Sequence, residues 1–150
     1  MKMAIEKAYE GIKSGNTPFG ACIVKDENII SCEHNIVWQS TDITAHAEIN
    51  AIRVACKKLN SIDLSGCSIY STCEPCPMCF SACHWAKIDK IIFGTEIKDA
   101  QIIGFNELTV SNDQMKSIGK SKIEIVKHFM YDENLKLFKD WAALKNKKVY

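Results

Sequence analysis

Residues 73–79 read Cys73-Glu74-Pro75-Cys76-Pro77-Met78-Cys79. A Cys-x-x-Cys spacing holds two thiolates close enough to grip one soft cation. Two such pairs overlap here, Cys73 with Cys76 and Cys76 with Cys79, and Cys83 follows Cys79 by one helical turn. Cys73 ends a strand-like run, whereas Pro77 stands where proline is favoured, at the start of a helix. Cys76 and Cys79 therefore open that helix, whose N-terminal dipole stabilises thiolates, and they are the pair we assign to the metal. Upstream lies Thr44-Ala45-His46-Ala47-Glu48, an imidazole and a carboxylate two residues apart in the first turn of another helix. His46, Cys76 and Cys79 make three ligands for a tetrahedral zinc ion. Three protein ligands leave the fourth position to water, the layout of a catalytic site and not of a structural one. Glu48 then carries protons beside that water. A structural site needs a fourth protein ligand, for which His34, His84 and Cys83 are the candidates.

Outward from this motif, strands and helices alternate. Cys67 to Thr72 reads as a strand and Pro77 to Ala86 as the helix after it. Ile88 to Gly94 is an isoleucine-rich strand that follows closely, as in a β-α-β crossover. Ala45 to Leu59 keeps Ile49, Ile52, Ala55, Cys56 and Leu59 on one helical face. Met1 to Lys13 is helical by the same test, through Ile5, Ala8, Tyr9 and Ile12, and Ser14-Gly15-Asn16 stops it. Phe19 to Lys25 and Ile29 to Glu33 form a hairpin about Asp26-Glu27-Asn28. His34 to Thr44 has no period and reads as a loop. Glu96 to Ile103 reads as a short helix. Thr109 to Lys120 is the least patterned stretch, and mobility is expected there. Lys122 to Lys127 alternates as an edge strand, and Asn134 to Leu144 is amphipathic through Leu135, Leu137, Phe138, Trp141 and Leu144. About five strands alternating with five or six helices predict an α/β fold, a three-layer α/β/α sandwich forming one domain over residues 1–150.

His-x-Glu followed by Pro-Cys-x-x-Cys, each opening a helix, resembles the signature of the zinc-dependent nucleobase deaminases, the cytidine/deoxycytidylate deaminase superfamily. The likeness covers nearly the whole chain and is nearest to the small bacterial guanine deaminases. It implies a five-stranded mixed sheet, one Zn2+ per subunit, and hydrolysis of guanine to xanthine and ammonia. It also implies a homodimer in which a C-terminal segment, about residues 130–150, is exchanged so that Tyr150 closes the partner's site. The same likeness assigns Phe19, in Pro18-Phe19-Gly20, to the site wall and Asn35 to base recognition. It gives the backbone N–H of Ala47 a substrate contact and sets Trp85 at the edge of the purine pocket. By residue type alone, Phe19 is equally a core-edge aromatic, Asn35 a turn former, Trp85 and Trp141 core residues, and Tyr150 a frayed end. Asn35 does carry both the donor and the acceptor that a purine edge needs. Two positions depart from the family pattern. Gly104-Phe105-Asn106-Glu107 stands where the family commonly reads Gly-Phe-Asp-Asp. Glu107 keeps the charge of the acid implied in guanine recognition and adds a methylene, which displaces the carboxylate. Ser81 stands where many members carry glycine. The same chemistry also serves a nucleoside, another purine, an aminotriazine or a tRNA adenosine. A zinc ion acting only as a scaffold would make Glu48 dispensable.

Composition excludes more than it selects. Over 150 residues, 47% hydrophobic and 25% charged content are ordinary for a globular domain. A formal net charge of +1 leaves no electrostatic footprint for nucleic acid or an anionic membrane. The one dense basic run, Lys145-Asn146-Lys147-Lys148, reads as a solvated helix end. No apolar run approaches the roughly 20 residues of a membrane span. Met1-Lys2-Met3-Ala4-Ile5-Glu6 has no signal-peptide core, so a cytoplasmic chain is expected. Eight cysteines without such a signal point to metal binding or burial. Cys22, Cys32, Cys56, Cys67 and Cys83 are expected as buried small hydrophobes.

Overall fold

Turn chemistry and side-chain alternation build one sheet from this pattern. The structure, a computed structural model, describes residues 1–150. Helix α1 (Lys2–Lys13) is followed by strand β1 (Gly20–Lys25). Asp26 and Glu27, left-handed at φ 47° and 63°, then turn the chain into β2 (Asn28–His34). Two successive left-handed residues define the turn whose twist matches paired antiparallel strands. A short helix α2 (Val37–Ser40) leads to α3 (Ala47–Leu59), β3 (Cys67–Cys73), α4 (Pro77–Trp85) and β4 (Lys90–Thr95). The chain continues through α5 (Ile97–Ile102), α6 (Asn112–Gly119), β5 (Glu124–Val126) and α7 (Tyr131–Ala142).

The sheet order is β2-β1-β3-β4-β5. β1 is antiparallel to β2 and β3, whereas the β3–β4 and β4–β5 pairs are parallel. Helix α4 is the crossover that the parallel β3–β4 pair requires. Helix α3 packs on β1 and β2 with α4 and α6 beside it, and α1 and α7 pack on the sheet at β1, β2 and β4. The α/β class and the five-stranded mixed sheet are therefore as expected.

Small residues let the helices lie close. Helix α1 buries Ala4, Ala8 and Gly11, and a Cβ on Gly20 would collide with the Ala4 carbonyl oxygen. Helix α3 buries Ala47, Ala51 and Ala55, one per turn. The bulk of the core comes instead from Ile23, Ile69, Ile91 and Phe93 of the strands and from Phe138 and Trp141 of α7. This close approach brings the N-termini of α3 and α4 to the end of β3, where the metal motif lies.

Four expectations need correction. The stretch 34–44 is not all loop: it contains α2, whose first N–H, on Val37, donates to Asn35 Oδ1 at 3.0 Å. The stretch 109–120 holds α6, capped reciprocally by Ser111 and Gln114; this Ser-x-x-Gln box was visible in the sequence. Helix α7 begins at Tyr131, ahead of its first apolar position. Cys22 and Cys32 are not separate small hydrophobes: they face each other across the β1–β2 pair, with Cα atoms 4.0 Å apart, and form a disulfide. Burial is as expected for Cys67 and Cys83.

Candidate active site

The two helix starts define the site. His46 is the N-cap of α3 and Cys76 the N-cap of α4, both in extended backbone, with Pro77 opening α4. His46 thus sits one residue ahead of the helix that was expected to include it, while Glu48 lies in the first turn. The Nδ1 atom of His46 is 3.7 Å from Cys76 Sγ and 3.6 Å from Cys79 Sγ. One ligand atom from each of the three lies within 4.8 Å of the others. Cys73, at the end of β3, is buried and turns its thiol to the Glu96 carbonyl at 3.6 Å. His34, His84 and Cys83 take no part in the cluster. His84 pairs with Ser121, and Cys83 is core.

One imidazole and two thiols at this separation fit a zinc ion, whose preferred donors are nitrogen and thiolate. The two thiols differ: the bond to Cys76, with burial, pushes the Cys79 thiol well up, so a zinc ion would displace its proton. The hydrogen bond from Cys79, helped by His46, holds the Cys76 thiol down to about 4 despite burial. Burial alone would lower the imidazole pKa, but the Cys76 hydrogen bond and the Glu48 charge outweigh it and raise His46.

Glu48 is 6% exposed and stands beside the cluster, with Oε2 3.5 Å from Cys79 Sγ. Its Oε1 accepts the Ser71 hydroxyl at 2.9 Å. Burial raises its pKa, against the opposing pull of His46. A carboxylate next to a metal cluster, oriented by a second residue and held above its ordinary pKa, suits proton transfer.

A cleft of about 310 Å³ opens over the cluster. Its wall includes His46, Cys76, Glu107 and Tyr150, and its mouth is apolar through Ile43, Met78 and Leu108. Phe19, Glu48, Cys73 and Glu74 line a small adjoining cavity of about 10 Å³ that shares His46, Cys76, Glu107 and Tyr150 with the cleft. Phe19 is both wall and core: its ring meets Phe105 and Phe138 edge-on, at 4.8 and 5.6 Å. Burial, with Cys76 nearby, raises the Glu107 carboxyl to about 7. Asn35 donates from Nδ2 to the Tyr150 hydroxyl at 2.7 Å. The Tyr150 ring lies 5.6 Å from that of His46, within the same chain.

Trp85 is not brought to this cleft. It ends α4, at the opposite end from Cys76, and is 81% exposed. Ser71 was missed, although it shares a strand face with Ile69 and Cys73, two residues ahead of the motif. Glu74, beside the motif, is a capping carboxylate. It is buried, and it caps two segments by accepting the Ile97 N–H at 3.3 Å and the Asn112 N–H at 2.8 Å. Ile43, Met78 and Leu108 carry no motif, and only the folded chain assembles them.

Comparison with known proteins follows this geometry. Residues 1–95 match the model of the cytidine and deoxycytidylate deaminase zinc-binding region. The chain is 40% identical to guanine deaminase of Bacillus subtilis over 151 aligned positions, covering 100% of this chain and 96% of that protein. It is 46% identical to a tRNA-specific adenosine deaminase of Aquifex aeolicus over 93 positions, 62% of each chain. A solved structure of guanine deaminase from Nitrosomonas europaea superposes with a TM-score of 0.87 at 25% identity, over 95% of this chain and 82% of that one. The chain therefore belongs to the cytidine and deoxycytidylate deaminase family of zinc-dependent deaminases.

Proposed function

We propose that the protein is a zinc-dependent hydrolase that deaminates a free nucleobase, guanine, to xanthine and ammonia. The observation that carries the chemistry is Glu48, buried beside three metal ligands without being one of them. The choice of guanine rests on likeness to the Bacillus subtilis enzyme through the whole chain, including the tail that enters the cleft. His46, Cys76 and Cys79 would hold the zinc, which supplies a Lewis acid and lowers the pKa of water from about 15.7 to about 7.

The chain's own groups do the rest. Glu48 accepts a proton from the attacking water and passes it to the ring nitrogen next to the amino-bearing carbon. It then takes the proton of the newly added hydroxyl and delivers it to the leaving amine, so that the C–N bond breaks as the carbonyl forms and guanine and water become xanthine and ammonia. Ser71 holds its carboxylate in place. The Oδ1 atom of Asn35 is committed to Val37 and one Nδ2 hydrogen to the Tyr150 hydroxyl, which leaves the second Nδ2 hydrogen to meet an acceptor on the base. The N–H of Ala47, in the first turn of α3, has no intrahelical partner and is free for the substrate. Glu107 accepts from base N–H groups, its extra methylene extending it into the cleft. Phe19 and Tyr150 supply apolar walls, and Tyr150 excludes water.

The assembly belongs to the same proposal: a cytoplasmic homodimer with one zinc ion per subunit. Exchange of the segment about 130–150 would pass Tyr150 to a partner, in place of the closure within one chain described above. For Trp85 to border a purine, it must reach the cleft of a second copy. Light scattering and the sedimentation of a Trp85→Ala variant test this arrangement.

Ammonia release from the zinc-loaded protein with guanine, guanosine, adenine, cytosine and an anticodon stem-loop RNA tests the substrate. Turnover of guanine is the expected result, and turnover of the RNA in its place overturns it. Glu48→Ala should retain zinc and lose turnover. The tRNA reading is favoured by the 46% identity to the Aquifex aeolicus protein. Against it stands coverage: that match spans 62% of this chain, whereas the match to the Bacillus subtilis guanine deaminase spans all of it.

A further inference from the structure

Trp38 belongs to no motif and lies on the short helix α2, three residues after Asn35. Helix α2, which carries it, is anchored to Asn35 through the Val37 N–H, and the Ile36 N–H donates to the Ala45 carbonyl at 3.1 Å. The platform is therefore tied to both Asn35 and the residue before His46. The indole remains 42% exposed on one side. Over that indole sits the ammonium of Lys148, 5.3 Å from the ring centroid.

The tail is seated chiefly by the Tyr150 ring, which packs on the core 5.4 Å from the Phe105 ring and 5.6 Å from that of His46, while Lys147 donates to the Ala142 carbonyl at 2.7 Å. Lys148 rests on Trp38, Val149 lies over Gly104, and the Tyr150 carbonyl accepts the Asn106 N–H at 3.3 Å. The Tyr150 hydroxyl accepts from Asn35. Most of these contacts lie at the last two residues; the Lys148–Trp38 pair fixes the strap just before it enters the cleft. We propose that Trp38 is a positioning residue: its indole face latches Lys148 and so keeps Tyr150 over the active site. In the catalytic setting this rests on the function proposed above, but the latch itself is measurable without substrate. A cation over tryptophan at an exposed site changes the closed-to-open ratio by about two- to fivefold.

Removal of Tyr150 by carboxypeptidase A from the zinc-loaded, full-length protein reports that ratio, because the enzyme digests only the released tail. Trp38→Leu should speed tyrosine release about two- to fivefold, and Trp38→Phe, which keeps a ring face, should restore most of the protection. In a Lys148→Ala background, where the protease meets the same tail sequence throughout, Trp38→Leu should add nothing. An unchanged release rate in Trp38→Leu overturns the proposal. So does an equal acceleration by Trp38→Leu in both backgrounds, which would make Trp38 a support of α2 alone. If Trp38→Leu does not fold, equal release from wild type and Trp38→Phe on one side and Lys148→Ala on the other overturns it as well. Parallel assays on guanine should show kcat/KM following tail release. Absence of guanine turnover in every form, wild type included, would count against the substrate and leave the latch result standing.

Discussion

Ser71→Ala removes one oxygen atom from the site without touching a metal ligand. The Ser71 hydroxyl donates to Glu48 Oε1 at 2.9 Å, inside a buried pocket where water does not replace it. Burial raises the Glu48 pKa, and the Ser71 bond is one of the interactions that oppose it. Loss of that bond therefore frees the carboxylate to rotate and weakens its ionised, proton-accepting form. A hydrogen bond to a charged group is worth about 1.5–3 kcal/mol. At about 1.36 kcal/mol per tenfold change in rate, kcat should fall by about one to two decades. Substrate binding, which we assign to Asn35 and Glu107, should change little. The assay is steady-state ammonia release from guanine, with zinc content measured on the same sample. Ser71→Thr keeps the hydroxyl and should retain most of the rate. A Ser71→Ala enzyme with full zinc and kcat within about twofold of wild type would refute an orienting role for Ser71.

Other outcomes follow from the same geometry. Deletion of Val149 and Tyr150 should lower kcat/KM on guanine by at least about tenfold through loss of closure; an unchanged value removes the lid. Gly20→Ala forces a Cβ against the Ala4 carbonyl and should destabilise the fold by about 3 kcal/mol in urea unfolding, unlike the same change at Gly119, which meets nothing within 4 Å. Burial, then the 2.6 Å bond to Asp140, raises the Tyr9 pKa to about 12, so the folded state keeps a proton that the unfolded chain loses near 10. Its stabilisation is full below about 10 and fades as pH rises toward about 12. Tyr9→Phe should therefore remove about 1 kcal/mol of that alkaline loss, after screening at a partly exposed site. Identical alkaline unfolding profiles for the two proteins would exclude the contribution.

The cluster of His46, Cys76 and Cys79, with Glu48 beside it, was legible in the linear chain because its spacing is local. A Cys-x-x-Cys followed by a helix start, and a His-x-Glu at another, bring matched donors to two helix N-termini whatever lies between them. Strand and helix periods likewise follow from which residues must face a core, and small residues at Ala47, Ala51 and Ala55 prepare a close-packed helix. Even the missed cap of α6 was present in Ser111 and Gln114. What depended on the tertiary fold was every contact between segments distant in sequence. Ser71 meets Glu48 only because β3 passes under α3. Glu74 is a capping group only because α5 and α6 converge on it. Tyr150, a chain end by sequence, becomes a wall of the cleft because Asn35, 115 residues earlier, donates to its hydroxyl. Trp85, read as a pocket residue, points away from its own cleft because nine residues of helix carry it from the metal. Local patterns thus determine which groups carry the chemistry. Packing free energy, summed over the whole core, determines which other groups stand beside them.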